Sequence, residues 1–132
     1  MAKKFKFRVK VYYEDTDAGG VVYYANYLKF LERARSEVIY SLGYTNSGLV
    51  ESYGILLIVK SCNIEYKKPA KFEDKLDIVS EIVSFTKTSF IMKQNILRNE
   101  ELISIAEIHL VSVDKDGKPS KVPDELKKKL EN

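Results

Sequence analysis

Cysteine and histidine are scarce in this sequence: its 132 residues hold one of each, Cys62 and His109. One cysteine excludes an internal disulfide and a cysteine-rich metal site, and it suits a reducing compartment. We therefore expect no metal centre and a cytoplasmic location. A Ser-His-Asp or Cys-His arrangement would have to use His109, which lies inside a predicted strand. Structural roles are favoured for both residues.

An excess of one charge is also lacking, since 22 Lys and Arg residues face 19 Asp and Glu residues, a formal net charge of +3. This balance lacks the strongly basic field of nucleic-acid binders, so we expect no nucleic-acid partner. Residues 1–8 alternate lysine with phenylalanine and offer no uninterrupted apolar stretch. We therefore expect neither a secretory signal nor an integral membrane contact.

The length and the hydrophobic content of 45% fit one compact domain over residues 1–132. Residues 5–13 alternate inward apolar with polar side chains, which is the period of a half-buried strand. Further along the chain, apolar residues recur at steps of three and four and predict one face of an amphipathic helix. These residues are Tyr27, Leu31, Ala34, Val38 and Leu42.

The predicted helix has signals at both ends. Asn26 could cap its start, although the start could lie a turn earlier, and Gly43 supplies a left-handed stop. Four further strands are predicted over residues 55–66, 75–85, 88–98 and 101–114, and a short helix over 124–130 follows Pro123.

Short separators between the later strands imply antiparallel neighbours. The order of strand, long helix and antiparallel strands predicts an α+β fold, with a curved antiparallel sheet wrapped around one long central helix. Long regular edge strands are a liability for a monomer, so we expect a homo-oligomer joined through sheet edges.

Three acids, Glu14, Asp15 and Asp17, crowd a loop with Gly19 and Gly20 between the first strand and the helix. A helix N-terminus presents free N–H groups and a partial positive charge, which can stabilise a developing oxyanion. A thiol with a pKa of about 8.5 can leave without a general acid, so this equipment suits a thioester. From spacing alone, helix capping by these acids is the competing interpretation.

Aromatic residues flank the acidic loop on both sides. They could form a pocket for an acyl or aryl chain, or they could serve core and dimer packing. The residues are Tyr12, Tyr13, Tyr23, Tyr24 and Tyr27.

The segment from Tyr13 to Tyr27, YEDTDAGGVVYYANY, and the following residues 28–35 resemble the signature of the 4-hydroxybenzoyl-CoA thioesterase family, in particular its YbgC-like acyl-CoA thioesterase branch. Residues 65–70 and 114–123 are also similar to family segments. The resemblance implies a hotdog fold and a homodimer with a continuous sheet, frequently paired into a homotetramer. It also implies hydrolysis of an acyl-CoA thioester at the subunit interface.

Position by position, the resemblance implies that Asp17 is the catalytic carboxylate and that the backbone N–H of Tyr24 contacts the thioester carbonyl. Asp15 would shape the loop. The YbgC-like branch usually has histidine at the position of Tyr24, and a backbone donor survives that difference. The resemblance and the pocket argument together give the substrate-binding candidates Gly20, Tyr27, Thr86, Lys87, Thr88 and Ser89.

The predicted function is hydrolysis of acyl-CoA to a free acid and CoA, with CoA as part of the substrate and no other cofactor. Acyl-acyl carrier protein is an alternative substrate because it presents the same pantetheine thioester. A non-catalytic acyl-thioester-binding scaffold is the alternative from another class. A hotdog dehydratase is disfavoured because that chemistry needs a loop histidine, whereas His109 lies in a strand.

Overall fold

The computed structural model describes residues 3–131 and contains an antiparallel five-stranded sheet with three α-helices. The strands are in the order β1-β3-β4-β5-β2, so β1 and β2 form the two edges. In chain order the elements are β1 (Lys4–Lys10), α1 (Tyr24–Ser41), α2 (Asn46–Tyr53), β2 (Leu56–Tyr66), β3 (Lys75–Phe85), β4 (Ser89–Arg98), β5 (Glu101–Val113) and α3 (Asp124–Glu131).

The long helix α1 packs its apolar stripe against the concave face of the sheet, and this confirms the predicted α+β architecture. Tyr27, Leu31, Ala34 and Val38 of that stripe are all buried, because steps of three and four residues return to one helix face. The helix ends at Ser41, and Gly43 follows with a φ of +90° that disfavours other residues.

A buried polar contact fixes α1 on the sheet. The Gln94 side chain of β4 is fully buried and donates to the Leu31 carbonyl (3.1 Å) and to Ser80 Oγ (3.0 Å). Its Oε1 accepts from Arg35 Nη1 at 3.0 Å. Burial lowers the pKa of Arg35. Each buried polar group of Gln94 therefore has a partner, which makes the seat of the helix specific.

The structure differs from the prediction in two local features and decides a third that was left open. The first strand ends at Lys10 and not at residue 13, because Tyr13–Asp15 forms a 3₁₀ turn. Helix α2 was not predicted; Thr45 caps it by accepting from the Gly48 N–H, and Gly54 ends it in the left-handed conformation. Helix α1 begins at Tyr24, so of the two starts left open by the sequence the earlier one is correct and Asn26 is not the cap.

Candidate active site

The loop before α1 is built around Asp15, which is buried. Its carboxylate accepts from the Tyr12 N–H at 2.9 Å. Its carbonyl accepts from the Tyr23 N–H (3.0 Å) and from Asn26 Nδ2 (2.8 Å), so Asn26 faces back into the loop from inside the helix. Asp15 therefore holds the loop against the start of α1, as a loop-shaping residue would.

Asp17 is exposed in the turn that follows. Its Oδ1 accepts from the Gly19 N–H at 2.8 Å, and its carbonyl accepts from the Gly20 N–H at 3.0 Å. Gly20 has a φ of +79°, where a side chain would be strained, and a Cβ at Gly19 would lie 3.2 Å from Asp17 Oδ1. The two glycines thus allow the chain to turn tightly around the Asp17 carboxylate.

A cavity of about 320 Å³ lies beside Asp17. It is formed by the loop, the first turn of α1, the end of β2 and the connection from β2 to β3. Its lining residues are Asp17, Val21, Val22, Tyr23, Tyr24, Tyr27, Tyr66, Lys67, Lys68 and Pro69.

The first turn of α1 borders this cavity through Tyr24, the first helical residue. The N–H groups of the first helical residues have no acceptor within their own helix. In the part of the chain that the structure describes, no side chain caps α1, since Tyr23 occupies the N-cap position without a side-chain cap hydrogen bond. The positive end of the helix dipole and an acidic side chain therefore border the same cavity.

Tyr27 forms the floor of the cavity and is 2% exposed. Its hydroxyl accepts from the Ala70 N–H at 3.0 Å, and the Ala70 carbonyl accepts from the Val22 N–H at 2.8 Å. Burial raises the pKa of Tyr27. The tyrosine therefore ties the β2–β3 connection to the helix.

The aromatic cluster predicted around the loop separates into two groups. Tyr23, Tyr24 and Tyr27 line the cavity, whereas Tyr13 stacks on Phe72 at a centroid distance of 4.1 Å outside it. Tyr12 is not a lining residue either. The prediction of an aromatic pocket therefore fits three of the five residues of the cluster.

Residues 66–69, which form the opposite wall of the cavity, carry no role predicted from the sequence. Tyr66 lies 5.2 Å from both Tyr24 and Tyr27 in ring-centroid distance. The family-like segment 65–70 was the available signal, but its contact with a loop about 50 residues earlier depends on the sheet.

Within one chain, the hairpin residues Thr86, Lys87, Thr88 and Ser89 do not reach the cavity. Thr86 and Ser89 bond to each other through their hydroxyls (2.6 Å) in the turn between β3 and β4. The cavity wall meets the opposite end of β4, where Arg98 donates to the Pro69 carbonyl. Nine residue steps along a strand span about 30 Å. These four residues could meet the cavity only from another subunit.

Cys62 and His109 do not form a reactive pair. His109 of β5 lies opposite Ser61 of β2, so it shares a sheet face with Ser61. Cys62, the next residue, points to the other face because side chains alternate along a strand. Burial raises the pKa of the Cys62 thiol, which disfavours the nucleophilic thiolate.

Among residues 3–131, no helix is long and apolar enough to cross a bilayer. No group of three or more His, Cys, Asp or Glu side chains there could hold a metal ion.

Known proteins resemble this chain over nearly its whole length. The sequence model of the Thioesterase-like superfamily matches residues 11–130. The acyl-CoA thioesterase YbgC of Haemophilus influenzae is 40% identical over 124 residues, which cover 93% of this chain and 91% of that protein.

Two solved structures share the fold. A probable thioesterase from Bartonella henselae is 32% identical, with a TM-score of 0.88 over 92% of this chain and 100% of its own. A mutant 4-hydroxybenzoyl-CoA thioesterase bound to 4-hydroxybenzoyl-CoA is 22% identical, with a TM-score of 0.90 over 96% of this chain and 98% of its own, and supports the hotdog fold alone. With its sequence and its fold in agreement, this chain belongs to the thioesterase-like superfamily.

Proposed function

We propose that this protein hydrolyses acyl-CoA thioesters to a free acid and CoA, with Asp17 as the catalytic carboxylate. The observation that carries the proposal is the cavity in which the exposed Asp17 and the uncapped start of α1 meet. The name of the Haemophilus influenzae relative, an acyl-CoA thioesterase, supports the same substrate class.

The chemistry needs few groups. The thioester carbonyl oxygen would accept from the backbone N–H of Tyr24, where the helix dipole stabilises the negative charge that develops. Asp17 either attacks the carbonyl carbon or takes a proton from the attacking water. The C–S bond breaks, water supplies the hydroxyl of the acid, and CoA leaves as a thiolate that needs no general acid.

Local contacts favour Asp17 over Asp15 for this role. The Asp15 carboxylate is buried and bound to the Tyr12 N–H, and its backbone carbonyl accepts two further hydrogen bonds. The Asp17 carboxylate accepts one hydrogen bond from its own turn and borders the cavity. A buried carboxylate that already stabilises the loop, as that of Asp15 does, is less free to contact a substrate.

The proposed active form is a homodimer that joins at β2, and two such dimers form the proposed tetramer. Leu56, Ile58 and Val59 of this edge strand are 47%, 44% and 46% exposed. A long apolar edge strand is a template for pairing with a second copy. A two-fold axis would pair the two β2 strands antiparallel and form an isologous interface.

This arrangement would complete the site with the predicted hairpin. Leu56 pairs with Val113 and Ser89 pairs with Val111, so the hairpin lies at the Leu56 end of β2. In an antiparallel pair, that end of the partner's strand approaches Tyr66 at the cavity. The hairpin residues of the partner could then contact the pantetheine or phosphate of CoA, and Lys87 could pair with phosphate. We place this reaction in the cytoplasm, where the lone Cys62 would stay reduced.

The test is thiol release from a panel of alkyl and aryl acyl-CoAs by the wild type and by Asp17→Asn. The substitution keeps the shape and removes the charge, so we expect kcat to fall roughly 10²–10⁴-fold. Glu14→Gln removes an exposed carboxylate of the same loop and should change kcat less than about twofold.

Unchanged turnover in Asp17→Asn would contradict the assigned role. Binding of acyl-CoA without thiol release by the wild type would favour the non-catalytic scaffold. Release from acyl-acyl carrier protein alone would move the substrate to the carrier-bound thioester.

A further inference from the structure

Arg98 is the last residue of β4, and its guanidinium donates hydrogen bonds to the β2–β3 connection and to the start of β5. Its Nη1 donates to Asp74 Oδ2 (2.6 Å) and to the Pro69 carbonyl (3.2 Å). Its Nη2 donates to Glu101 Oε1 at 2.7 Å. The side chains of Arg98 and Asp74 are both 22% exposed, so these contacts are partly shielded from water.

These acceptors belong to the segment that forms the cavity wall opposite Asp17. Pro69 lines the cavity, and Asp74 closes the same segment by accepting from the Lys71 N–H at 2.8 Å. Lys68, another lining residue, donates to Glu101 Oε2 at 2.6 Å. The bonds from Lys68 and Arg98 hold the pKa of Glu101 down at about 2, so this carboxylate is ionised at neutral pH.

The wall has few other side-chain supports near Pro69. Proline has no N–H to donate, so its carbonyl is its one strong backbone contact. The next residue, Ala70, is bound on both sides, by Tyr27 and by Val22. Backbone bonds hold the two ends of the segment, since the Ile103 carbonyl accepts from the N–H groups of Lys67 and Lys68 and Val11 bonds to Glu73 and Asp74. Between these ends, Tyr27 and Val22 hold Ala70, and Arg98 is the side chain that holds Pro69.

We propose that Arg98 is a positioning residue for the proposed acyl-CoA hydrolysis, and that it holds the wall of Lys68 and Pro69 at the right distance from Asp17. Arg98 is not a lining residue of the cavity, so it acts through the wall and not on the substrate. An arginine suits this task because its planar fork can serve three acceptors at once, whereas lysine is a single point charge.

This inference rests on the proposed function and predicts a specific kinetic change. In Arg98→Lys and Arg98→Gln the wall loses its support at Pro69, whereas the contacts of Asp15 and Asn26 keep Asp17 and the start of α1 in place. We therefore expect KM for acyl-CoA to rise about tenfold and kcat to change less than about threefold, as for lost substrate contacts.

A matched control separates this role from general stability. Arg8 bonds to Asp77 through Nε at 2.9 Å and Nη2 at 3.3 Å, so Arg8→Gln also removes an Arg–Asp pair from the sheet. It should leave KM and kcat unchanged, because neither Arg8 nor Asp77 lines the cavity and the Arg8 side chain bonds to Asp77 and not to the wall segment. Added guanidinium, far below concentrations that unfold proteins, should restore a low KM in Arg98→Ala and should not restore turnover in Asp17→Asn.

The kinetic constants of these variants decide whether Arg98 positions the cavity wall. A KM of the Arg98 variants equal to that of Arg8→Gln would overturn the inference. So would a kcat that falls with the thermal midpoint of unfolding and is not rescued by guanidinium, since that would mark a purely structural role. If Asp17→Asn keeps its turnover, the proposed function fails; if Asp17→Asn is inactive while the Arg98 variants match the control, the inference alone fails.

Discussion

The sheet ends in β1 on one side and in β2 on the other, and the two edge strands expose different side chains. On the solvent face, β1 alternates Lys4, Lys6, Arg8 and Lys10, while its apolar residues face the core. Strand β2 exposes Leu56, Ile58 and Val59 instead. Lysines on an edge strand discourage pairing with another chain, whereas exposed apolar residues favour it.

The difference indicates that only the β2 edge of the sheet is suited to pairing with a second copy. With one edge open and one edge blocked by charge, two copies can close an isologous pair, but the sheet cannot grow further. The open edge is also the one next to the cavity, since Tyr66 ends β2 and lines it. The charged edge lies four strand spacings away, about 19 Å. In the proposed dimer, the interface and the candidate site would therefore share one side of the molecule.

The largest expected effect comes from giving β2 the chemistry of β1. In the double variant Ile58→Lys/Val59→Lys, two half-exposed apolar side chains become cations in both copies of the interface. At about 1 kcal/mol for each of the four substituted side chains, the dissociation constant of the proposed dimer should rise roughly 10³-fold. Analytical ultracentrifugation should show monomers at micromolar concentration, and thioester turnover should fall more than about tenfold.

A surface control accompanies this variant. Val83→Lys changes a valine of β3 that is similarly exposed but does not lie on an edge strand, and it should leave the dimer intact. A double variant that remains dimeric, or a monomer that is fully active, would contradict the proposed role of the β2 edge.

The converse change should have a smaller effect. Lys4→Val/Lys6→Val removes two of the four cations from the β1 edge. We expect pairing through the β1 edge, with an association constant roughly tenfold higher than in the wild type, because lysine no longer opposes strand pairing. Light scattering over a concentration series should detect species larger than the wild-type oligomer. Lys115→Val/Lys118→Val, in the turn after β5, is the control; equal behaviour of the two variants would show that β1 is not blocked by its charge.

Long periodic segments could be predicted from the sequence, and short capped ones could not. The strand over residues 75–85 has its predicted bounds, and the stripe of α1 is buried as predicted. Helix α2 has eight residues, and Leu49 alone among them is buried, so it had no apolar period to reveal it. Its two caps, Thr45 and Gly54, are recognisable only once a helix between them is known.

Some parts of the candidate site could likewise be predicted from the sequence, and others could not. The acidic loop and the helix start are adjacent in sequence, so their meeting could be predicted. Spacing could not favour one of Asp15 and Asp17, because the proposal depends on which carboxylate is buried in the loop and which borders the cavity. The wall of residues 66–69 and its support by Arg98 depend on the pairing of β2, β5 and β4, which the local sequence does not show.

The smallest expected effect tests whether the cations of β1 stabilise the fold or only guard the edge. Hydrogen bonding to Arg8 holds the pKa of Asp77 below its ordinary value. The ion pair therefore stabilises the protein above pH about 4, and this stabilisation is lost as the pH falls through the lower folded pKa of Asp77. Because Arg8 is largely exposed, Asp77→Asn should lower the free energy of unfolding at neutral pH by less than about 1 kcal/mol.

Urea unfolding of the wild type and of Asp77→Asn from pH 7 downwards should show this difference in the free energy of unfolding shrinking in acid. The control Asp116→Asn, in the turn after β5, should show no such difference at any pH. A loss of several kcal/mol would mean that the charged edge is part of the stabilising framework and not only a barrier to pairing.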